Sequence, residues 1–302
     1  MENVEWFAAN WGPTNLRVWG IGSDGNVIAE LTSDRGAQTL RREEFGPVLV
    51  SLIEPYLSKG AIPVVCCGRV GAGQGSAEAE YPSVPCTPPE ASLAAKIGET
   101  DARISVHIVP GVKQVSPADV MQGEETQIAG FLADNPKFFG TVCMPGAYTK
   151  WVQISAGEIV SFRTFITGEM VDLLAEQSVL KNSVTGDGWS DDAFLDAVND
   201  ALGSPQQVAS RLFGIHAEGL LSGQGQAEAK AQMAGLLIGM ELAGARGYWL
   251  GQELVLIGSP ALNKLYGDAL GHQGVVCRAI GGDDMTLAGL KSVYKTLGLD
   301  QT

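Results

Sequence analysis

The chain has 302 residues, with 34 acidic against 20 basic side chains and a net charge of −14; that is long enough to bury a core without disulfide or metal staples, as one large domain or two ordinary ones. The acidity argues against the basic stripe of a nucleic-acid-binding surface and against a polybasic membrane contact, and 45% apolar with 18% charged residues excludes a disordered chain. Glycine is the outlier at 39 residues, nearly double the average usage of about 7%, which points to tight turns or to backbone that approaches a ligand closely.

The predicted elements begin with strands over 6–10, 16–21 and 27–32. The turn Gly12-Pro13-Thr14-Asn15 joins the first two, and the hairpin turn Ser23-Asp24-Gly25-Asn26 joins the second and third. Helical spacing covers 43–58 and a strand 62–67. An irregular segment rich in Gly, Ser and Pro spans 68–89, followed by a strand over 105–109 and a turn leading into a helix within 117–132. Asp134-Asn135-Pro136-Lys137 is the most natural boundary, being polar and carrying a proline. Beyond it come strands over 140–144, 150–154 and 159–164, separated by the glycine turn Pro145–Thr149 and the hairpin turn Ala156-Gly157-Glu158. Helices are predicted over 169–180, 191–201, 205–221 and 226–250, the last two long and amphipathic. A strand over 253–257 and helices over 262–270 and 285–297 complete an α/β pattern.

The N-terminal residues lack the basic segment and apolar run of a signal peptide. The most apolar region, 233–262, is broken by Glu241, Arg246 and Glu253. No transmembrane helix is therefore expected, and the expected location is cytoplasmic. Cys66, Cys67, Cys86, Cys143 and Cys277 have no CxxC spacing and read as free, mostly buried thiols. His107, His216 and His272 lack the spacing of zinc ligands.

The two halves open alike, with strand, glycine loop, strand, hairpin, strand and helix. Asn10-Trp-Gly-Pro-Thr-Asn-Leu-Arg-Val-Trp aligns with Met144-Pro-Gly-Ala-Tyr-Thr-Lys-Trp-Val-Gln in the position of glycine, polar loop and strand, the mark of an internal duplication. Backbone N–H groups in such glycine loops form anion-binding nests, so one loop from each half could hold a polyphosphate in a cleft. The hydroxyls of Thr14 and Thr149 and the ammonium of Lys150 are placed to contact phosphate oxygens, and Gly258-Ser259-Pro260, between a strand and a helix, suits a base and ribose. Each loop taken singly also reads as an ordinary turn.

Seven runs carry a resemblance to a known family. They are Asn10-Trp-Gly-Pro-Thr-Asn-Leu-Arg; Gly68-Arg-Val-Gly with Gln74-Gly75 and Glu78-Ala79; Asp119-Val-Met-Gln-Gly-Glu-Glu-Thr-Gln; Pro145-Gly-Ala-Tyr-Thr-Lys-Trp-Val; Thr164-Phe-Ile-Thr-Gly-Glu; Gly235-Leu-Leu-Ile-Gly; and Leu256-Ile-Gly-Ser-Pro-Ala-Leu. With these the chain resembles the bacterial 2-dehydro-3-deoxygalactonokinases, within the sugar kinase, actin and heat-shock ATPase superfamily. The resemblance runs from residue 6 to about 295. It implies two duplicated actin-like (ribonuclease H-like) α/β domains with a nucleotide cleft between them. It further implies ATP- and Mg²⁺-dependent phosphorylation of the terminal hydroxyl of 2-dehydro-3-deoxy-D-galactonate in galactonate breakdown. On it, residues 1–135 are expected to bind the sugar acid, with the last helix returning to pack on them, and residues 136–284 to bind the nucleotide.

Phosphoryl transfer needs a carboxylate near the attacking hydroxyl, groups that neutralise phosphate charge, and a carboxylate for hydrated Mg²⁺. A Gly-Glu-Glu run precedes the second phosphate loop in exopolyphosphatases of the same superfamily, where a glutamate acts as base. The resemblance therefore implies Glu125 as general base and Glu124 as the second choice; both also read as acids favoured at a helix N-terminus. Glu169, after Thr167-Gly168, reads either as a helix cap or as a ligand for Mg²⁺ through water. Asn10, Gly12, Thr14, Asn15, Gly146, Thr149 and Lys150 are the implied phosphate ligands, with Asn10 also at the metal. Arg69, Gln74 and Glu78 are the implied contacts to the sugar acid.

Several positions depart from the family pattern. Asn10 and Pro13 stand in the first loop where the family has Asp and Thr, and Ala147 and Tyr148 replace Thr and His in the second. Ala72-Gly73-Gln74-Gly75-Ser76 stands for Ser-Arg-Gln-Gly-Trp, which leaves Arg69 to meet a substrate carboxylate, and Gln177 stands for a histidine. An amide at residue 10 offers one carbonyl oxygen and no charge to a cation. The alternative readings are a catalytically weak kinase-fold protein that binds a sugar acid or nucleotide, and a hydrolase of ATP or polyphosphate. The expected partners are the sugar acid and ATP, without nucleic acid or membrane, and a homodimer is the assembly considered.

Overall fold

Two sheets of the same design are laid down by the two halves of the sequence. The computed structural model describes residues 3–57, 60–71, 80–89, 95–96 and 101–298. It divides into one unit made of Met1–Phe139, Ile154–Ser161 and Gly282–Thr302, and a second made of Gly140–Gln153 and Phe162–Gly281.

In the first unit β1 (Trp6–Trp11), β2 (Leu16–Ile21) and β3 (Val27–Ser33) form an antiparallel meander. β1 also pairs in parallel with β4 (Ile62–Gly68), setting Asn10 beside Cys67 and Trp11 beside Gly68. With β5 (Ala95–Lys96) and β6 (Ile104–Ile108) the sheet order is β3-β2-β1-β4-β6-β5. β1 is buried on both faces, as a central strand should be. Phe7, Ala9 and Trp11 pack towards α1 (Phe45–Ile53), and the alternate residues Trp6 and Ala8 face the opposite way. α1 is shorter than the predicted 43–58 because Pro55 lies in a following 3-10 turn, Glu54–Tyr56. A hairpin of β7 (Val112–Gln114) and β8 (Asp119–Met121), absent from the sequence reading, leads into α2 (Glu124–Asp134).

The second sheet repeats the plan. β9 (Gly140–Met144), β10 (Thr149–Ser155), β11 (Glu158–Phe165), β12 (Leu254–Gly258) and β13 (Cys277–Gly281) are ordered β11-β10-β9-β12-β13, matching β3-β2-β1-β4-β6. β12 runs parallel to both of its neighbours. The sequence reading had no β13: it is an edge strand with no fully buried residue, so its sequence shows no apolar alternation.

Between β11 and β12 lie α3 (Thr167–Gln177), α4 (Lys181–Val184), α5 (Asp191–Gly203), α6 (Val208–Leu221), α7 (Gln226–Gly244) and α8 (Arg246–Trp249); α9 (Pro260–His272) follows β12. The helix predicted over 226–250 breaks at Ala245, and Trp249 Nε1 donates to the Leu242 carbonyl at 2.8 Å, satisfying one terminal acceptor. α7 is also not amphipathic. One side packs with Trp151, Phe194 and Tyr266 and another with Leu180, Val208 and Ile215, so it is a central helix buried nearly all round.

Gly239 of α7 lies against α5, where a Cβ would stand 2.4 Å from the Val198 carbonyl oxygen, whereas a Cβ on Gly214 of α6 would meet nothing within 4 Å. Gly239→Ala is therefore expected to cost about 1–3 kcal/mol through overpacking. Gly214→Ala is expected to gain about 0.5–1 kcal/mol. Urea unfolding midpoints that move in opposite directions check the pair.

The last helix, α10 (Gly282–Thr296), belongs to the first unit. It packs along α2 and under β1, where Trp6 stacks on Tyr294 with ring centroids 4.1 Å apart. All five cysteines are free. Among the described residues no helix is long and apolar enough to cross a membrane.

Candidate functional site

β1 and β4 are parallel, so their C-terminal ends meet at one edge of the first sheet, the usual place for ligands in such sheets. The loop Gly12–Asn15 leaves that edge. Its backbone is clamped from behind, as the Gly12 and Pro13 carbonyls accept from the Ala37 and Gln38 N–H groups at 3.0 Å each, and Trp11 Nε1 donates to the Arg35 carbonyl at 3.0 Å. Thr14 and Asn15 are left exposed. Asn10 is half-buried at the end of β1, where its Oδ1 accepts from Cys67 Sγ at 3.7 Å. Arg69 is half-buried in the turn after β4. Gln74 and Glu78, the other implied sugar-acid contacts, lie outside the described residues, as do Ala72, Gly73 and Ser76.

The start of α2 comes to the same edge. A Cβ on Gly123 would lie 3.2 Å from Gly68 Cα and 3.9 Å from Asn10 Oδ1. Gly123 has φ +111°, a conformation that side chains rarely adopt, so space and backbone both require glycine. Its N–H donates to both Glu125 oxygens, at 2.9 and 2.7 Å, and the Thr126 hydroxyl donates to Oε1 at 3.0 Å. Glu124 is half-buried and accepts the Gln122 N–H at 2.8 Å, while Gln122 Nε2 donates to the Tyr81 hydroxyl. Glu125 is 0% exposed. Burial first, and the charge of Glu124 second, push its carboxyl up to about 7, against the pull of its hydrogen bonds. Both acids stand in the first turn of α2, where Glu125 accepts the Gly123 N–H. A carboxyl poised near neutral pH is equally what a general base requires.

At the corresponding edge of the second sheet the loop after β9 holds Gly146, half-buried, with Ala147 exposed. Gly168 at the start of α3 is pressed against it: a Cβ there would lie 2.4 Å from the Gly146 carbonyl oxygen. The Glu169 N–H donates to the Ala147 carbonyl at 3.1 Å, and Glu169 is half-buried. The side chain of Thr149, expected to meet phosphate oxygens, faces inward. Thr149 is 0% exposed, and its Oγ1 lies 2.9 Å from the Tyr266 hydroxyl and 3.4 Å from the Gly146 carbonyl, so it braces the loop from inside. Lys150, on the other face of β10, is 5% exposed and donates to Thr164 Oγ1 at 2.9 Å.

Gly258 ends β12 beside Pro145, and Ser259 caps α9 by accepting the Leu262 N–H at 3.3 Å, with Pro260 in the first turn. Sequence reasoning missed Asn263, whose Nδ2 donates to the Gly258 and Ile280 carbonyls at 3.2 and 2.9 Å and so ties the ends of β12 and β13 together. It also missed Glu241, a buried acid in the apolar C-terminal part of α7, which in the sequence only interrupts a hydrophobic run.

The chain matches the family described as 2-keto-3-deoxy-galactonokinase over residues 10–293. It is 36% identical over 305 residues to a Rhizobium meliloti (strain 1021) protein named "Probable 2-dehydro-3-deoxygalactonokinase DgoK1", with 98% of this chain and 99% of that one covered. It is 31% identical over 295 residues to the 2-dehydro-3-deoxygalactonokinase of Escherichia coli (strain K12), with 96% and 97% covered. A crystal structure of a Sinorhizobium meliloti protein described under the same enzyme name has a TM-score of 0.88 at 35% identity, covering 97% of this chain and 99% of that one. The activator of 2-hydroxyisocaproyl-CoA dehydratase from Clostridium difficile, with bound ADPNP, shares the fold at a TM-score of 0.51 and 12% identity over 98% and 96% of the two chains.

Proposed function

The chain belongs to the 2-keto-3-deoxy-galactonokinase family, and on that premise we propose that its first unit engages the sugar acid and its second the nucleotide. The protein is an ATP-dependent sugar-acid kinase, and its acceptor is 2-dehydro-3-deoxygalactonate, phosphorylated at the terminal hydroxyl. The observation that carries the mechanism is the Glu125 carboxyl. It is buried at the start of α2, bonded to the N–H of Gly123, whose own backbone adjoins Gly68 and Asn10, and burial raises it to about 7.

Glu125 takes the proton of the attacking hydroxyl as the new O–P bond forms and the bond to ADP breaks. Burial first, and the charge of the neighbouring Glu124 second, keep Glu125 from becoming a permanently charged group. Arg69 binds the substrate carboxylate. In the first unit the exposed Thr14 and Asn15 and the Gly12 backbone are the groups for phosphate oxygens; in the second unit the Gly146 backbone has that role, and Gly258, Ser259 and Pro260 border the base and ribose. Thr149 and Lys150 act from beneath, Thr149 by fixing the loop and Lys150 by its charge. ATP use is supported by the family and by the ADPNP bound to the Clostridium difficile relative of the same fold.

Among the described residues no group of three or more His, Cys, Asp or Glu could by itself hold a metal. The half-buried oxygens of Asn10 and of Glu169 each suit Mg²⁺ brought in on the phosphates, which keeps most of its water and takes one or two protein ligands. In the first unit Asn10 Oδ1 would serve as such a ligand, and in the second unit Glu169 would; when bound, the ion supplies positive charge to the phosphate oxygens. Asn10→Asp restores a charge at this position and is expected to tighten Mg²⁺·ATP binding about threefold to tenfold. Calorimetry with equal affinities for the two proteins would remove Asn10 from the metal. The reaction itself is checked by mass spectrometry of the sugar acid after incubation with ATP and Mg²⁺. One added phosphoryl group is expected, and unmodified sugar acid beside accumulating ADP would leave a hydrolase instead.

A further inference from the structure

The chemistry above does not use Glu241, although burying a carboxylate in an apolar core costs several kcal/mol unless every lone pair is met. Glu241 lies well inside α7 at 1% exposure. Its Oε1 accepts the Trp151 Nε1–H at 2.8 Å and its Oε2 accepts the Tyr266 O–H at 2.9 Å; Thr167 and Thr149 also hydrogen-bond to it. A leucine would fill that place more cheaply. What the carboxylate adds is four donors held on one group, and they come from three segments that carry the strand-end loops.

Thr149 closes the Gly146 loop, with its hydroxyl 2.9 Å from the Tyr266 hydroxyl. Thr167 opens α3 immediately before Gly168, which is pressed on Gly146, and Glu169, whose N–H holds the Ala147 carbonyl. Tyr266 stands on α9, the helix capped by Ser259. We infer that Glu241 is a positioning residue for the nucleotide: its carboxylate locks the Gly146 loop, the start of α3 and the α9 helix into one arrangement without touching the ligand. This rests on the reading that the second unit binds ATP.

Among the described residues, the titratable groups facing Glu241 are Tyr266 from α9 and Cys143 from β9, and burial pushes both upward. Burial likewise raises Glu241 to about 7. Below that pH the carboxyl is protonated and holds its donors less well, so affinity for ATP should fall as pH drops through 7.

The test compares wild type with Glu241→Gln, using ADPNP affinity by calorimetry at pH 6 and 8 and amide hydrogen exchange of residues 145–149, 167–169 and 259–266. Glu241→Gln is expected to weaken ADPNP binding about tenfold at pH 8, to raise KM for ATP more than it lowers kcat, and to abolish the pH dependence of affinity. Exchange in the three segments should rise together while α5 keeps its protection. A folded Glu241→Gln with wild-type affinity and exchange overturns the inference. If Glu241→Gln does not fold, Tyr266→Phe removes one donor from the same carboxylate and should move affinity and exchange in the same direction by a smaller factor; no movement there also overturns it. A wild type that binds no ADPNP would overturn the nucleotide reading of the whole unit, whereas a binding wild type with an indifferent variant overturns the role of Glu241 alone.

Discussion

Glu125→Gln is expected to lower kcat about 10²- to 10⁴-fold, the usual contribution of a positioned general base, with ATP affinity little changed. Glutamine keeps the size of the side chain and one acceptor for the Gly123 N–H, so α2 stays capped, but it cannot take a proton. The pH dependence makes the test specific. A base must be ionised, and burial with the Glu124 charge holds Glu125 at about 7. The wild-type kcat should therefore rise as pH climbs through 7 and then level, and the residual activity of the variant should lack that rise. A slow variant that keeps the wild-type pH profile would assign the proton to another group.

The same carboxyl has the opposite effect on stability. Its folded value lies above the ordinary 4.5, so the folded protein binds the proton more tightly than the unfolded chain. The associated stability is fully present below about 4.5 and is lost as pH rises to about 7, after which it stays lost. The difference is on the order of 3 kcal/mol. Glu241, also held near 7 by burial, adds a loss of the same sign. Each glutamine variant should flatten the fall in unfolding free energy between pH 5 and pH 8, and Glu125→Gln should be more stable than wild type at pH 8. The carboxyl proposed as the base thus weakens the fold as pH rises through 7.

Gly289→Ala is the second large effect expected, on stability. α10 meets α2 backbone to backbone: a Cβ on Gly289 would stand 2.0 Å from the Thr126 carbonyl oxygen, and one on Gly130 would stand 2.1 Å from the Met285 carbonyl oxygen. Neither neighbour is a flexible side chain, so one helix must shift. The expected cost is about 3 kcal/mol, the upper end of ordinary overpacking, which in a chain of this size is roughly a 6–12 °C fall in melting temperature. Thr126 adjoins Glu125, so the shift should also reach the base, and activity at low temperature should fall before the protein melts. A melting temperature within a degree of wild type would mean that the helices do not approach this closely in solution.

The meanders were legible because strand alternation and turn glycines are local signals, and the duplicated plan followed from them. β13 was not, because an edge strand with no buried residue needs no apolar period. The β7–β8 hairpin was hidden in three-residue strands. Among the proposed site residues, Asn10, Gly12, Thr14, Asn15 and the Glu124–Glu125 pair are candidates that motifs alone point to, because they sit at strand ends, loops and a helix start, where residue type is tied to backbone geometry. The inward contact of Thr149 was not legible for a physical reason: its partner, Tyr266, lies 117 residues away, and no local pattern tells that the first residue of β10 turns inward. Glu241 was overlooked for the same reason, since its four donors come from β10, α3 and α9.

The most direct measurement is ADP release by the wild-type protein with Mg²⁺·ATP, with and without 2-dehydro-3-deoxygalactonate. A sugar-acid kinase should release ADP in proportion to sugar acid consumed, at a rate well above that without sugar acid, and Glu125→Gln should lower the sugar-dependent part about 10²- to 10⁴-fold. Release that is the same with and without sugar acid, from protein that binds ATP, would contradict the account.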